Sequence, residues 1–172
     1  RTVFVLPGLA ASDSSTAPLR AYLRGLGYNA RGWGLGQNDG NVRGFVRDMT
    51  AKVERAAERG GAKVPLVGWS LGGVISREVA LRRPDLVEQV ITLGSPVVSN
   101  RTVQVPLTVI YTRDDGVVPW DACIDRANGH AEHVEVRSTH FGLGFHHAVF
   151  VEVARRLHTK GKRHIQATVN RP

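Results

Sequence analysis

The chain has 172 residues, 42% of them hydrophobic, and a formal net charge of +8. This length favours one domain with a substantial core, and no apolar run reaches the roughly eighteen residues that a membrane-spanning helix needs. Basic residues are scattered along predicted helices among acids, which favours a solvated surface over nucleic-acid binding.

Strands and helices are predicted to alternate along the chain. Short β-branched runs bounded by Gly, Pro or polar residues indicate strands, and apolar residues at three- and four-residue spacing indicate helices. In chain order the predicted elements are a strand at Thr2–Leu6, a helix at Ala17–Leu26, a strand at Tyr28–Trp33, a helix at Asn41–Arg59, a strand at Val64–Trp69, a helix ending near Arg82, strands at Val87–Leu93 and Leu107–Tyr111, a loop with a short helix at Val117–Arg126, a strand at Val134–Arg137 and a helix at His146–His158.

This alternation predicts a single α/β domain over residues 1–158. Its sheet would be mostly parallel, with about six strands and with helices on both faces. Residues 159–172 show no periodic pattern and carry several basic side chains, so they are predicted to form a basic tail. The sequence begins at Arg1 without a methionine or a visible signal peptide, and we expect upstream residues to be missing.

A possible nucleophile lies between the third predicted strand and the next helix. Gly68, Ser70 and Gly72 form the pattern G-x-S-x-G there. In such a strand–turn–helix the serine hydroxyl stands above the edge of the sheet. The two glycines are needed because the turn brings the backbone and the helix too close for side chains. We therefore predict that Ser70 is a nucleophile.

A serine nucleophile needs a base, and in this chain order an acid comes between the serine and the base. Two adjacent aspartates follow the Leu107–Tyr111 strand. Asp115 is favoured because Gly116 permits a tight turn that aims the carboxylate over the sheet edge, whereas Asp114 is typical of a solvated loop charge. The alternative is an acidic turn without a catalytic role.

His140 is the predicted base. It follows the last predicted strand and lies in a glycine-containing loop before the last helix. His146 and His147 are its nearest rivals, but they are expected to lie inside that helix. No Cys, Asp or Glu is at ligand spacing around these histidines, so no metal site is predicted.

Two backbone N–H groups are predicted to hold a developing oxyanion, those of Leu9 after the first strand and of Leu71 after the nucleophile. Several apolar side chains flank the predicted catalytic residues and could form an acyl pocket, although packing in the core is the alternative for each. The candidates for substrate contact are Trp69, Val118, Trp120, Phe141 and Leu143.

Four segments resemble α/β-hydrolases of the lipase and esterase kind, in particular small bacterial lipases without a lid: Val67–Gly73, Thr92–Pro96, Asp115–Pro119 and His140–Leu143. The resemblance implies a Ser–Asp–His triad that hydrolyses carboxylic esters through an acyl-enzyme without a cofactor. Such proteins usually have two further strands before the first, so we expect a minimal six-stranded core or a truncated chain. The segment Val97–Pro106 is too short for a helical cap, which favours an open site and short- to medium-chain acyl groups.

Other functions use the same residues. An acyltransferase, a thioesterase or an amidase would pass through the same tetrahedral intermediate, and a binding protein could retain the fold without activity. The expected partner is a small-molecule ester, and a monomer is favoured.

Cys123 is the single cysteine and is expected to be a buried hydrophobic residue. Since it cannot form an internal disulfide, it favours a reducing, cytoplasmic environment.

Overall fold

A computed structural model describes the backbone of residues 1–169 and the side chains of residues 1–159. Within this part of the chain, one parallel sheet has the strand order β2-β1-β3-β4-β5-β6. The predicted α/β architecture with about six strands is therefore confirmed. The strands are β1 (Thr2–Leu6), β2 (Asn29–Gly32), β3 (Val64–Trp69), β4 (Val87–Leu93), β5 (Leu107–Tyr111) and β6 (Glu132–Glu135).

Helices connect the strands and cover both faces of the sheet. The caps of the second helix show how the sequence sets its ends: the Asn41 side chain accepts a hydrogen bond from the Gly44 N–H at 3.2 Å, and Gly61 ends the helix with φ of 61°. The helices are α1 (Ala17–Gly25), α2 (Val42–Gly60), α3 (Leu71–Arg82) and α4 (His147–Val169).

Alternating side chains of each strand supply two separate cores. Phe4 and Leu6 of β1 face the layer formed by α2 and α3. Val3 and Val5 face the opposite layer, formed by α1 and α4. All six residues of β3 are buried, as expected for a central strand covered on both faces. The sheet therefore fixes the position of the turn that follows β3.

Two predicted boundaries were wrong. The last strand is Glu132–Glu135 instead of Val134–Arg137. Because β6 is an edge strand with exposed residues, charged side chains are tolerated in it and hydrophobicity does not mark its ends. Helix α4 continues to Val169 instead of ending near His158, and no apolar stripe marks this extension. The side chains of the predicted tail lie outside the described ones from residue 160 onward, so the tail stays a prediction.

The connection between β4 and β5 is short and contains no helix in the described structure. Its length predicts that it holds no helical cap. Among the described helices, none has the length and apolar character required to cross a membrane.

Candidate active site

Ser70 occupies the sharp turn between β3 and α3. Its backbone has φ of 53° and ψ of −119°, a conformation that costs free energy for any residue with a side chain. Hydrogen bonds hold the turn on both sides: the Ser70 N–H donates to the Leu93 carbonyl at 2.8 Å, and the Gly73 N–H donates to the Ser70 carbonyl at 2.9 Å. The hydroxyl is therefore presented at the carboxyl end of β3, beside the start of a helix.

The glycines of the turn are required by contact distances. A Cβ at Gly68 would lie 2.3 Å from the carbonyl oxygen of Gly72, and a Cβ at Gly72 would lie 2.4 Å from the carbonyl oxygen of Leu6. These contacts are with backbone atoms, which cannot move aside as a flexible side chain could. The steric reason given for the G-x-S-x-G pattern is therefore confirmed.

Asp115 and His140 form a buried hydrogen bond of 2.7 Å between Oδ2 and Nδ1. Their side chains are only 1% and 6% exposed. The other carboxylate oxygen of Asp115 accepts hydrogen bonds from the N–H groups of Val117 at 2.9 Å and Val118 at 2.8 Å, so the turn fixes its orientation. A carboxylate on Nδ1 favours the imidazole tautomer whose Nε2 is free to accept a proton.

Asp114, the competing aspartate, is exposed. Its backbone N–H donates to Thr112 Oγ1 at 3.3 Å, and no hydrogen bond of its carboxylate is found within the described residues. The structure thus brings Asp115, and not Asp114, to the histidine.

Neighbouring residues link the segments that carry Ser70 and His140. The indole N–H of Trp69 donates to the carbonyl of His140 at 3.1 Å, while Leu93, which accepts from Ser70, precedes a glycine that contacts the His140 ring. Within the described residues, no hydrogen bond joins the Ser70 hydroxyl to His140. Nε2 of His140, which has no hydrogen bond within the described residues, is not fully buried. Such contacts are often long before substrate binds.

Two residues of the site were not assigned a role from the sequence. Gly94 has φ of 56°, and a Cβ there would lie 3.2 Å from both Asp115 Oδ2 and His140 Nδ1. Thr112, which is 1% exposed, accepts from the Ser138 N–H and donates to the Ser138 carbonyl, joining the acid loop to the histidine loop. For Gly94 the sequence offered one signal, a glycine directly after a buried strand. For Thr112 it offered none.

The loop after β1 lies against the nucleophile. A Cβ at Gly8 would lie 3.3 Å from the Ser70 Cβ, so the adjacent Leu9 N–H is near the serine. Among described residues, that N–H has no acceptor. The Leu71 N–H lies at the first turn of α3, where helix amides lack internal partners and the dipole favours an anion.

Asn38 holds this loop and was also missed from the sequence. It is fully buried. Its side-chain amide donates to the Pro7 carbonyl at 3.1 Å, and its backbone carbonyl accepts from the Ala10 N–H at 2.7 Å. Ala10 has φ of 62°, an unfavourable conformation for alanine that these bonds help to maintain.

The side chains predicted to contact substrate differ in exposure. Phe141 is 68% exposed, whereas Trp69 is 7% exposed and Leu143 is fully buried in the core. Val118 and Trp120 are half-buried, and the Trp120 ring stacks on Tyr111 with the Arg113 guanidinium 4.2 Å from its centroid. Leu9, at 63% exposure, is a further exposed apolar side chain in the site.

The two rival histidines, His146 and His147, make contacts at the start of α4. His147 begins α4 and packs edge-on against Tyr22, and His146 Nδ1 accepts from the Ala148 N–H at 3.1 Å.

Cys123 is buried as predicted, and burial, with smaller contributions from Asp115 and Asp121, raises the pKa of its thiol to about 11. No cluster of three or more His, Cys, Asp or Glu residues suited to a metal occurs in the described structure.

Solved structures with a similar fold include several hydrolases. A lipase-esterase related protein from Clostridium acetobutylicum has a TM-score of 0.73 and 15% identity, covering 92% of this chain and 93% of that one. Est1E from Butyrivibrio proteoclasticus has a TM-score of 0.74 and 12% identity, with coverages of 92% and 87%. A thioesterase domain from the curacin biosynthetic pathway has a TM-score of 0.68 and 12% identity, with coverages of 90% and 89%.

A sequence-family model described as alpha/beta hydrolase fold matches residues 6–105. This segment is more than half of the chain and contains β2, β3, the turn at Ser70 and β4. The chain therefore belongs to the α/β hydrolase fold family.

Proposed function

We propose that the chain is a serine hydrolase that cleaves carboxylic esters, with Ser70 as nucleophile, His140 as general base and Asp115 as the acid that orients it. The observation that carries the proposal is the buried 2.7 Å Asp115–His140 hydrogen bond beside a serine held in a strained turn. Strain of this kind is concentrated at functional sites.

In the first step His140 Nε2 takes the proton of the Ser70 hydroxyl while Oγ attacks the ester carbonyl carbon. The carbonyl oxygen becomes an oxyanion, and Asp115 stabilises the imidazolium through Nδ1. Collapse of the intermediate breaks the bond between carbon and the alcohol oxygen. The leaving alcohol takes the proton from His140, and Ser70 is left acylated.

In the second step a water molecule replaces the alcohol. His140 accepts its proton, the hydroxide attacks the acyl carbon, and the bond to Ser70 Oγ breaks as the proton returns to the serine. The N–H groups of Leu9 and Leu71 are proposed to stabilise the oxyanion in both steps. Removing one such donor typically lowers kcat by about 10²- to 10³-fold.

The acyl group is proposed to lie against the exposed apolar side chains of Leu9 and Phe141. Trp120 and Val118 are the further candidates for the pocket wall. Because the β4–β5 connection has no helix to bury a long chain, we propose a site without a lid and a preference for short- or medium-chain esters. A series of p-nitrophenyl esters tests this, and an optimum well beyond about ten carbons would contradict the open site.

Labelling with a fluorophosphonate probe tests the nucleophile. The parent and Ser14→Ala, which alters an exposed serine far along the chain from the turn, are expected to label, and Ser70→Ala is not. If the folded parent stays unlabelled, or if Ser70→Ala labels fully, the proposal is wrong. Thioesters and amides pass through the same intermediate, so kcat/KM for an ester and its matched thioester decides between esterase and thioesterase.

A further inference from the structure

A cleft of about 360 Å³ lies between the edge strand β2 and the helix α2, apart from the candidate active site. Its floor includes Phe4 and its neighbour in register, Arg31, on the same face of the sheet. Three further cationic side chains reach it from α2: Lys52, Arg55 and Arg59. Among the side chains that the structure describes, no carboxylate lines the cleft.

The helical cations share one face because they lie three and four residues apart. The backbone positions of Lys52 and Arg59 are about 10 Å apart along the helix axis. The Lys52 ammonium lies over the backbone of Gly34, where a Cβ would be 3.1 Å from Nζ. Arg31 faces this row from the sheet, with its guanidinium 5.9 Å from the centre of the Phe4 ring.

None of these four cations forms an ion pair with any carboxylate that the structure describes. Many other surface arginines do, such as Arg101 with Glu78 and Arg113 with Glu135. Of the three acids of α2, Glu54 pairs with Arg83 and Asp48 pairs with Arg47. The third, Glu58, is exposed and is not among the residues that line the cleft.

This arrangement of charges destabilises the protein when no ligand is bound. Like charges at three- and four-residue spacing on a helix repel each other, and Arg31 adds a fourth charge from the opposite side. An anion in the cleft would remove this repulsion. Guanidinium groups present a planar set of donors that matches phosphate oxygens. Cations at helical positions about 10 Å apart favour a ligand with more than one phosphate.

We propose that this cleft binds a small, linear polyanion of the oligophosphate class, with Arg31, Lys52, Arg55 and Arg59 as its ligands. The concave shape, with walls on both the strand and the helix side, suits a small molecule and excludes the flat surface of a bilayer. The proposal concerns a site separate from Ser70 and does not depend on the proposed esterase activity.

Calorimetric titration of the chain with sodium tripolyphosphate and with inorganic phosphate tests the proposal. Tripolyphosphate is expected to bind at least about tenfold more tightly, because each added charge-assisted hydrogen bond contributes to affinity. The double variant Arg55→Gln, Arg59→Gln is expected to weaken tripolyphosphate binding by about tenfold or more. Its Tm without ligand should equal or exceed that of the parent, because the substitutions relieve repulsion on α2.

Arg43→Gln is the matched control, since it removes a charge from an exposed position of the same helix outside the cleft. It is expected to change the affinity by less than about twofold. Equal losses in the control and in the cleft variant would overturn the proposal, as would equal affinity for phosphate and tripolyphosphate. Binding to phosphatidylserine vesicles without binding to tripolyphosphate would also overturn it, in favour of a membrane surface.

Discussion

Gly94 lies directly against the imidazole of His140. A Cβ at Gly94 would be 3.2 Å from His140 Nδ1, the atom that bonds to Asp115, and 2.8 Å from the Leu143 Cδ1 methyl. The same glycine has φ of 56°. Gly94 thus helps to place the histidine ring, because a side chain at this position would displace its neighbours.

Gly94→Ala is expected to lower kcat by about ten- to a hundredfold, because a histidine displaced by a few tenths of an ångström transfers protons poorly. KM should change little. Steady-state kinetics with a p-nitrophenyl ester measures both values. Gly61→Ala is the matched control: its φ is 61° and a Cβ there meets nothing within 4 Å, so it should destabilise the fold similarly without changing kcat. Equal activities of the two variants would contradict a positioning role for Gly94.

Asp115→Asn is expected to lower kcat by roughly 10³- to 10⁴-fold, because an amide at this position no longer holds the productive tautomer of His140 or stabilises its charged form. Asp114→Asn should leave kcat within about twofold, since the Asp114 carboxylate is exposed and away from His140. Rates of ester hydrolysis by both variants give the answer. A larger loss in Asp114→Asn would reverse the assignment of the acid.

Asn38→Ala tests the loop that carries the Leu9 N–H. Loss of the bond to the Pro7 carbonyl should let the loop relax and lower kcat by about ten- to a hundredfold, since donors act only when aimed at the oxyanion. Asn41→Ala removes the cap of α2 and should cost about 1 kcal/mol of stability without changing kcat. An unaltered kcat in Asn38→Ala would exclude a role for this loop.

The buried pair Arg77–Asp125 links α3 to the loop before β6 and is 8% and 0% exposed at its side chains. Arg77→Met is expected to cost about 3–5 kcal/mol in urea unfolding at pH 7, because Asp125 would stay buried and charged without its partner. Arg101→Met removes an exposed pair with Glu78 and should cost about 1 kcal/mol or less. Similar costs for both variants would contradict this account.

The same pair predicts an acid dependence. Burial opposes the charge on Asp125, but the hydrogen bond and charge of Arg77, with the Asn128 contacts, outweigh it and lower the pKa of this carboxyl. A lowered pKa means that the stabilisation is present above the unfolded value near 3.9 and is lost as the pH falls through the folded value. The difference in unfolding free energy between the parent and Arg77→Met should therefore decrease below about pH 4.

Cys123 should be unreactive in the folded chain. With its pKa raised to about 11, the thiol stays protonated at pH 8, and reaction requires the thiolate. Labelling with a maleimide is expected to be slow in buffer and complete within minutes in denaturant. Fast labelling of the folded chain at pH 8 would contradict the burial of this thiol.

The parts of the site that follow from local pattern could be predicted from the sequence. The turn at Ser70 has a fixed glycine pattern between a strand and a helix, and parallel strands bring their carboxyl ends to one edge of the sheet. An acid after β5 and a histidine after β6 are therefore expected at the sheet edge that carries Ser70, and the structure pairs the two with each other. This held even though the predicted bounds of β6 were wrong. The family match over residues 6–105 includes the turn at Ser70 but neither Asp115 nor His140.

The residues that support the site could not be predicted in this way. Asn38 and Thr112 act through contacts with segments far away in the chain, at Pro7 and Ser138. A single sequence holds no signal for such pairs. Gly94 was visible in a motif, but its closeness to His140 depends on how two loops meet above the sheet.

The backbone of Ser70 also limits how stable this fold can be. A conformation with φ of 53° and ψ of −119° costs a residue with a side chain roughly 1–3 kcal/mol, which is a large share of the 5–15 kcal/mol that keeps a typical domain folded. Glycine would adopt the same turn without that cost. Ser70→Gly is consequently expected to be more stable than the parent and to lack the nucleophile, so that stability and reactivity compete at a single residue.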